Sequence, residues 1–191
     1  MSETANTAKG EDVVDVLTAD HRLMLDRLAE IRNTSEPSER RDLADAVIAE
    51  VMRHSVAEEM IVYPAIEEHV PNGKEEVEHD KQEHDEIVAV MKQIEDVDAS
   101  GPVFMDRIGE LEAQLRHHAH DEEADQFPML RAHIPADRLV DMADKVQNAM
   151  KLAPTRPHPN APHSELFHKT VGPGVGMVDR LRDKLSGRYT G

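Results

Sequence analysis

HSVAEEMIVYP, residues 54–64, returns 64 residues later as HAHDEEADQFP, residues 118–128. In both copies a His is followed four residues on by the first of two Glu, and an aromatic-Pro pair closes the segment. His54 matches His118, Glu58 matches Glu122, Glu59 matches Glu123, Tyr63 matches Phe127 and Pro64 matches Pro128. One His-x-x-x-Glu is a weak signal, but five matched positions at a single offset mark an internal repeat. Outward from it, an acidic residue and a His precede each copy: Asp20-His21 before the first, Glu83-His84 before the second. Each half therefore reads acidic-His, a connection, then His-x-x-x-Glu. The two halves together supply four His and two Glu, the ligand count of a pair of metal ions.

Periodicity makes the chain all-α. Val14, Leu17, His21, Met24, Leu25, Leu28 and Ile31 recur at three- and four-residue steps and predict one helical face. A second helix is expected from about Pro37 to about His69, with Leu43, Val47, Val51, His54, Glu58, Ile61, Val62 and Ala65 on its stripe. Four residues is about one turn, so His54 and Glu58 project toward one point. Pro64 should kink or locally distort this helix just after the site. A third helix carries Val77, Asp80 or Lys81, His84, Ile87, Val88, Met91 and Ile94. A fourth starts near Pro102 with Phe104, Ile108, Leu111, Leu115, His118, Glu122 and Met129. Leu139, Met142, Ala143, Val146 and Met150 predict a short fifth helix. Residues 1–10 read as a disordered lead-in and residues 11–150 as the globular unit. Residues 151–191 read as a Pro- and His-rich tail in an extended path, ending in a short amphipathic piece with Val175, Val178, Leu181 and Leu185.

Composition narrows the function. The 191 residues are 39% hydrophobic but only 3% aromatic, with no Trp and 10 Met, as expected of a helical core packed by aliphatic side chains. A formal charge of −17 repels phosphate backbones and anionic membranes, so neither nucleic acid nor a membrane is an expected partner. The first residues carry no basic start or apolar run, and no stretch approaches the roughly 20 apolar residues of a membrane span, which predicts a cytoplasmic protein. The absence of Cys leaves imidazole and carboxylate as the strong metal ligands, a set that suits iron, manganese or zinc.

Each candidate has a plainer reading. A single His on an apolar face is commonly a satisfied core residue, but four on stripes beside two Glu favour a metal site over an imidazole–carboxylate network that is only structural, because an unpaired buried carboxylate costs several kcal/mol. His117 and Asp121 form a rival His-x-x-x-Asp pair one residue out of register; the repeat and the stripe favour His118 and Glu122. His79 and His120 fall on the solvent side. Glu59 and Glu123 read as a solvated face, with orientation of the ligands from behind as the alternative. Asp80, one turn before His84, remains open as an extra ligand or hydrogen-bond acceptor. His69 and His133 read as helix C-terminal residues, and His158, His163 and His168 as ordinary loop residues.

The order His; His-x-x-x-Glu; His; His-x-x-x-Glu resembles the hemerythrin-like family, the bacterial HHE cation-binding domains, over roughly residues 11–150. The resemblance implies an up-and-down antiparallel four-helix bundle, which the repeated halves and short connections also fit. It implies two iron ions in an oxygen-bridged non-haem centre, with His21, His54, Glu58, His84, His118 and Glu122 as ligands. Oxygen-carrying members place a second His one turn before the third-helix His and end the last motif in Asp. Here those positions are Asp80 and Glu122. Losing an imidazole leaves more room for water, hydroxide or peroxide, which favours redox chemistry over oxygen storage. The expected function is therefore hydrogen peroxide decomposition in oxidative-stress defence, two electrons passing from the metal pair to one peroxide and back from a second. The alternatives are a protein that senses dioxygen, iron or nitric oxide and signals to a partner through the tail, or a zinc-bound structural bundle.

Overall fold

The computed structural model describes residues 10–157 and, near the C-terminus, residues 183, 184, 187, 188 and 190. The lead-in before Gly10, the three tail histidines and the amphipathic piece from Val175 to Leu185 lie outside or largely outside these. Among the described residues every regular element is helical.

Helix α1 (Val13–Asn33) begins on a capping box in which Asp12 and Asp15 each accept the other's backbone N–H at 3.1 Å. The Arg131 guanidinium donates to both oxygens of Asp12, at 3.0 and 2.8 Å, and to Asp15 at 2.6 Å. Charge-assisted, forked contact of this kind fixes orientation as well as position. Val13, Leu17, His21, Met24, Leu28 and Ile31 make the buried face, as the periodicity predicts.

The second predicted helix exists but in three segments: α2 (Pro37–Ala57), a π-helical turn (Glu58–Val62) and α3 (Tyr63–His69). The last motif repeats this as α5 (Pro102–Asp121), a π turn (Glu122–Gln126) and α6 (Phe127–His133). Between them runs α4 (Gly73–Asp96). Asn72 turns into α4 at φ 59°, and a Cβ on Gly73 would meet the Ile66 carbonyl oxygen at 2.2 Å, so only glycine lets the chain fold back so closely. The fifth helix of the sequence reading is α7 (Ala136–Leu152). With 17 residues and Leu139, Met142, Ala143, Val146 and Ala149 buried, it is not short. It lies across α1 and α2, while α1 also packs on α5, and α4 on α5 and α3.

Two apolar cores result. One gathers Leu28, Ile31, Val47, Ile48, Met91, Ile94, Phe104 and Ile108; the other Val13, Leu17, Tyr63, Ile66, Val77, Phe127, Leu130 and Val146. Full burial of each such aliphatic side chain is worth about 1.5–3 kcal/mol. The four candidate His and two candidate Glu form a layer between the cores: along α1, for example, His21 separates Leu17 from Met24. The described end of the chain returns against α2 and α4. Arg188 donates to Glu95 at 2.6 Å and lies 3.4 Å from Asp45, and Arg53 donates to the Thr190 carbonyl at 2.8 Å.

Candidate metal centre

The π turns are built by the proline that follows each. Pro64 and Pro128 have no N–H, and their rings crowd the carbonyls four residues back, on Met60 and Ala124. Admitting one extra residue relieves the clash. The Tyr63 N–H therefore bonds the Glu58 carbonyl, and the Phe127 N–H the Glu122 carbonyl, five residues back. The distortion expected after the site thus lies within it, because proline acts on the turn before itself. π turns recur at functional sites.

All six predicted residues come together and are buried, none more than 3% exposed. They form two imidazole pairs: His21 Nε2 lies 3.1 Å from His54 Nε2, and His84 Nε2 lies 3.1 Å from His118 Nε2. Each Glu spans the pairs. Glu58 Oε1 is 3.1 Å from His54 and its Oε2 3.4 Å from His84; Glu122 Oε2 is 3.2 Å from His21 and its Oε1 3.6 Å from His118. Ligand atoms of His21, His54, Glu58 and Glu122 fall within 4.8 Å of one another, as do those of Glu58, His84 and His118.

The outer ring follows the repeat with a twist. The second Glu of each motif reaches the first His of the other half: His21 donates from Nδ1 to Glu123 at 2.9 Å, and His84 Nδ1 lies 3.4 Å from Glu59. The acidic residue before each first His turns to the second His of its own half: His118 donates from Nδ1 to Glu83 at 2.8 Å, and His54 Nδ1 sits 3.6 Å from Asp20. Every Nδ1 thus faces a carboxylate and every Nε2 faces inward, the arrangement that fixes a ligating tautomer. This corrects the solvated reading of Glu59, whose side chain the wide π turn keeps only 7% exposed; Glu123 is exposed as read, at 36%, while also accepting from His21.

Charge reports what the layer lacks. Burial opposes protonation of His54 and His84, yet Glu58 beside them raises His54 well above its ordinary value and, with Glu59, lifts His84 to about 10. Burial likewise opposes His118, which Glu122 and Glu83 raise. Burial works to raise Glu58, but His54 and His84 hold it well below the usual carboxylate range. The only partners of both Glu58 oxygens and of Glu122 Oε2 among the described residues are imidazole nitrogens of the layer, none in good hydrogen-bond geometry. Two carboxylates aimed between four inward nitrogens, with protons standing where cations would, fit a metal site.

The halves differ in one respect. In one half Phe127 stacks on His21 with ring centroids 5.8 Å apart, and Leu17 and Val62 are buried in the adjoining core. The matching positions beside His84 and His118 are Asp80, Gln126 and Tyr63. The Tyr63 hydroxyl lies 3.3 Å from His84 Nε2, and Gln126 donates to both Asp80 oxygens at 2.7 and 2.9 Å. Burial and Glu122 push Asp80 up to about 7. Asp80 accepts from Gln126, and its carboxylate also stands within reach of Glu83 and His118 as a group that could hold an ion, so both readings of it have a partner here. Tyr63 and Gln126 were not singled out as site residues; Tyr63 could be found as a repeated aromatic, whereas Gln126 carries no sequence signal. His79 and His117 are surface residues, 56% and 65% exposed. A surface cavity of about 390 Å³, lined by Asp20, Leu23, Glu50 and Arg53, shares Met24 with a small hollow beside His21, His54 and His118.

The hemerythrin HHE cation binding domain is the family whose model matches, over residues 12–130. An uncharacterised hemerythrin-like protein of Schizosaccharomyces pombe is 28% identical over 174 residues, covering 91% of this chain and 86% of that protein. A DNA nickase of Nostoc is 22% identical over 138 residues, covering 72% of this chain but only 39% of that protein. No solved structure gives a significant match.

Proposed function

The chain belongs to the hemerythrin HHE cation-binding family, and on that footing we propose that it is a non-haem diiron protein that decomposes hydrogen peroxide. The four long helical runs would then stand in up-and-down order around the metal layer. The observation that carries the reading is the Glu58 carboxylate: fully buried and facing one imidazole pair with each oxygen, 3.1 Å from His54 and 3.4 Å from His84. His21, His54, Glu58 and Glu122 would hold one iron, and His84 and His118 together with Glu58 the other. A bound iron pair supplies two electrons reversibly, enough to reduce one peroxide to water and oxidise a second to dioxygen.

The chain's own residues set the conditions for that chemistry. Asp20, Glu83, Glu59 and Glu123 orient the imidazoles and raise their basicity. Asp80, held by Gln126, offers a carboxyl that can keep or release a proton next to His118. The apolar cores above and below exclude bulk water, and Met24 separates the outer cavity from the buried hollow, so only a small molecule reaches the layer. Replacing His54 by Ala should abolish peroxide turnover while far-ultraviolet circular dichroism still reports a folded helical protein. An unchanged rate per protein would contradict the proposal.

One contact favours a second reading, a sensor of dioxygen, iron or nitric oxide that signals to a protein partner. Arg53, next to His54 in sequence, donates to the Thr190 carbonyl and so links the described chain end to the helix that carries His54. The nickase likeness does not extend DNA cleavage to this chain in our reading, since its charge of −17 repels a phosphate backbone. Among the described residues no helix is long and apolar enough to cross a membrane.

A further inference from the structure

Directly outside His118 lies a second constellation, of which the buried layer uses only one oxygen of Glu83. His79 and Glu83 stand one turn apart on α4, and His117 and Asp121 one turn apart on α5. Exposed pairs of this spacing are common and ordinarily worth only about 0.3–0.5 kcal/mol. Here two of them face each other across adjacent helices. His79 Nε2 and His117 Nε2 each lie 3.5 Å from the same oxygen, Glu83 Oε1, and His117 Nδ1 lies 3.6 Å from Asp121 Oδ1. Ligand atoms of His79, Glu83 and Asp121 fall within 4.8 Å of one another. Atoms bound to one ion at about 2.0–2.2 Å stand about 3–3.5 Å apart, so small side-chain adjustments suffice.

Two further observations separate this cluster from ordinary surface pairing. Glu83 is only 12% exposed, and its other oxygen accepts the hydrogen bond from His118 Nδ1 at 2.8 Å, so one carboxylate faces both the outer cluster and the buried layer. The cluster also has no counterpart in the other half. There the repeat puts Arg53 in place of His117 and Ala57 in place of Asp121, a cation and an apolar residue that cannot bind metal.

We propose that His79, Glu83, His117 and Asp121 form a separate surface site for a divalent first-row transition metal, which captures ferrous iron and delivers it past Glu83 to the buried layer. The delivery role rests on the diiron reading; the site itself does not. The net charge of −17 draws divalent cations toward the surface, and two imidazoles select transition metals over calcium or magnesium.

The test uses the full metal-free chain and a triple variant, His79→Ala, His117→Ala and Asp121→Asn, which leaves Glu83 and all six buried residues in place. Anaerobic titration with ferrous iron, and separately with zinc, should give one more weakly held ion per chain in the native protein than in the variant. Iron uptake into the buried layer, followed by its absorption after exposure to air, should slow about tenfold or more in the variant. Equal stoichiometry in the two proteins would overturn the site. A lost ion with unchanged uptake would overturn delivery. A single surface-held ion and none in the layer would leave the site standing while refuting the diiron reading.

Discussion

His84 concentrates the chemistry of this protein, because Glu58, Glu59, Tyr63 and His118 all converge on it. Its raised value carries a pH consequence. A His raised to about 10 in the fold stabilises the metal-free protein fully below its unfolded value near 6.5, and that stabilisation is lost as pH climbs toward 10. Asp80, raised to about 7, acts in the same sense at lower pH, since ionising it in the fold costs more than ionising it in the unfolded chain. The metal-free protein should therefore melt at a lower temperature at pH 9 than at pH 6. With the layer filled, cations replace the imidazole protons, so that fall should shrink and loading should release protons. A metal-free melting temperature equal at both pH values would contradict this. The six inner residues were legible in the sequence because each sits on an apolar stripe and each recurs in the repeat. Glu59 was not, because its inward aim depends on a turn that is not α-helical, and a 100° helical wheel places it outward.

The π turn decides which carboxylates reach the layer. The repeat made the His, the Glu and the aromatic-Pro pair visible, and proline chemistry predicted a distortion. The register of that distortion was not readable, since it emerges from the contest between the ring of Pro64 and the carbonyl of Met60. Restoring the missing donor should let an ordinary α-helical turn form. Pro64→Ala is therefore expected to leave the fold at least as stable, because Pro costs about 3 kcal/mol inside a helix, while metal affinity falls about 10–100-fold as Glu58 and Glu59 swing out of register. Equilibrium competition with a chelator measures this, and an affinity equal to that of the native chain would show that the turn has another origin. The fifth helix was underestimated for a simpler reason. Its stripe was legible, Leu139, Met142, Ala143 and Val146 lying buried opposite the exposed Asp137, Arg138, Asp141 and Asp144, but residues 136–138 at its start and 151–152 at its end carry no large apolar residue that the pattern could count inward.

At the scale of the whole molecule, two apolar cores clamp one polar layer, and the chain end is held against their outer surface. Asp45 and Glu95 on α2 and α4 share Arg188, which is only 5% exposed. Deleting residues 158–191 leaves those carboxylates without it and should lower the melting temperature by about 2–8 °C. The metal layer lies elsewhere, so metal content should be unchanged, and so should turnover if the protein is an enzyme. A truncated chain that keeps its metal and turnover but no longer recognises a partner would favour the sensing role. None of this tail packing was readable from the sequence, where the Pro- and His-rich composition signalled only an extended path. The most direct test of the central claim is the metal content of the full chain, produced with iron, purified without chelators or a histidine tag, and measured by mass spectrometry. Two tightly held irons per chain are the predicted result. One zinc, or no tightly bound metal at all in a protein whose helices remain folded, would contradict it.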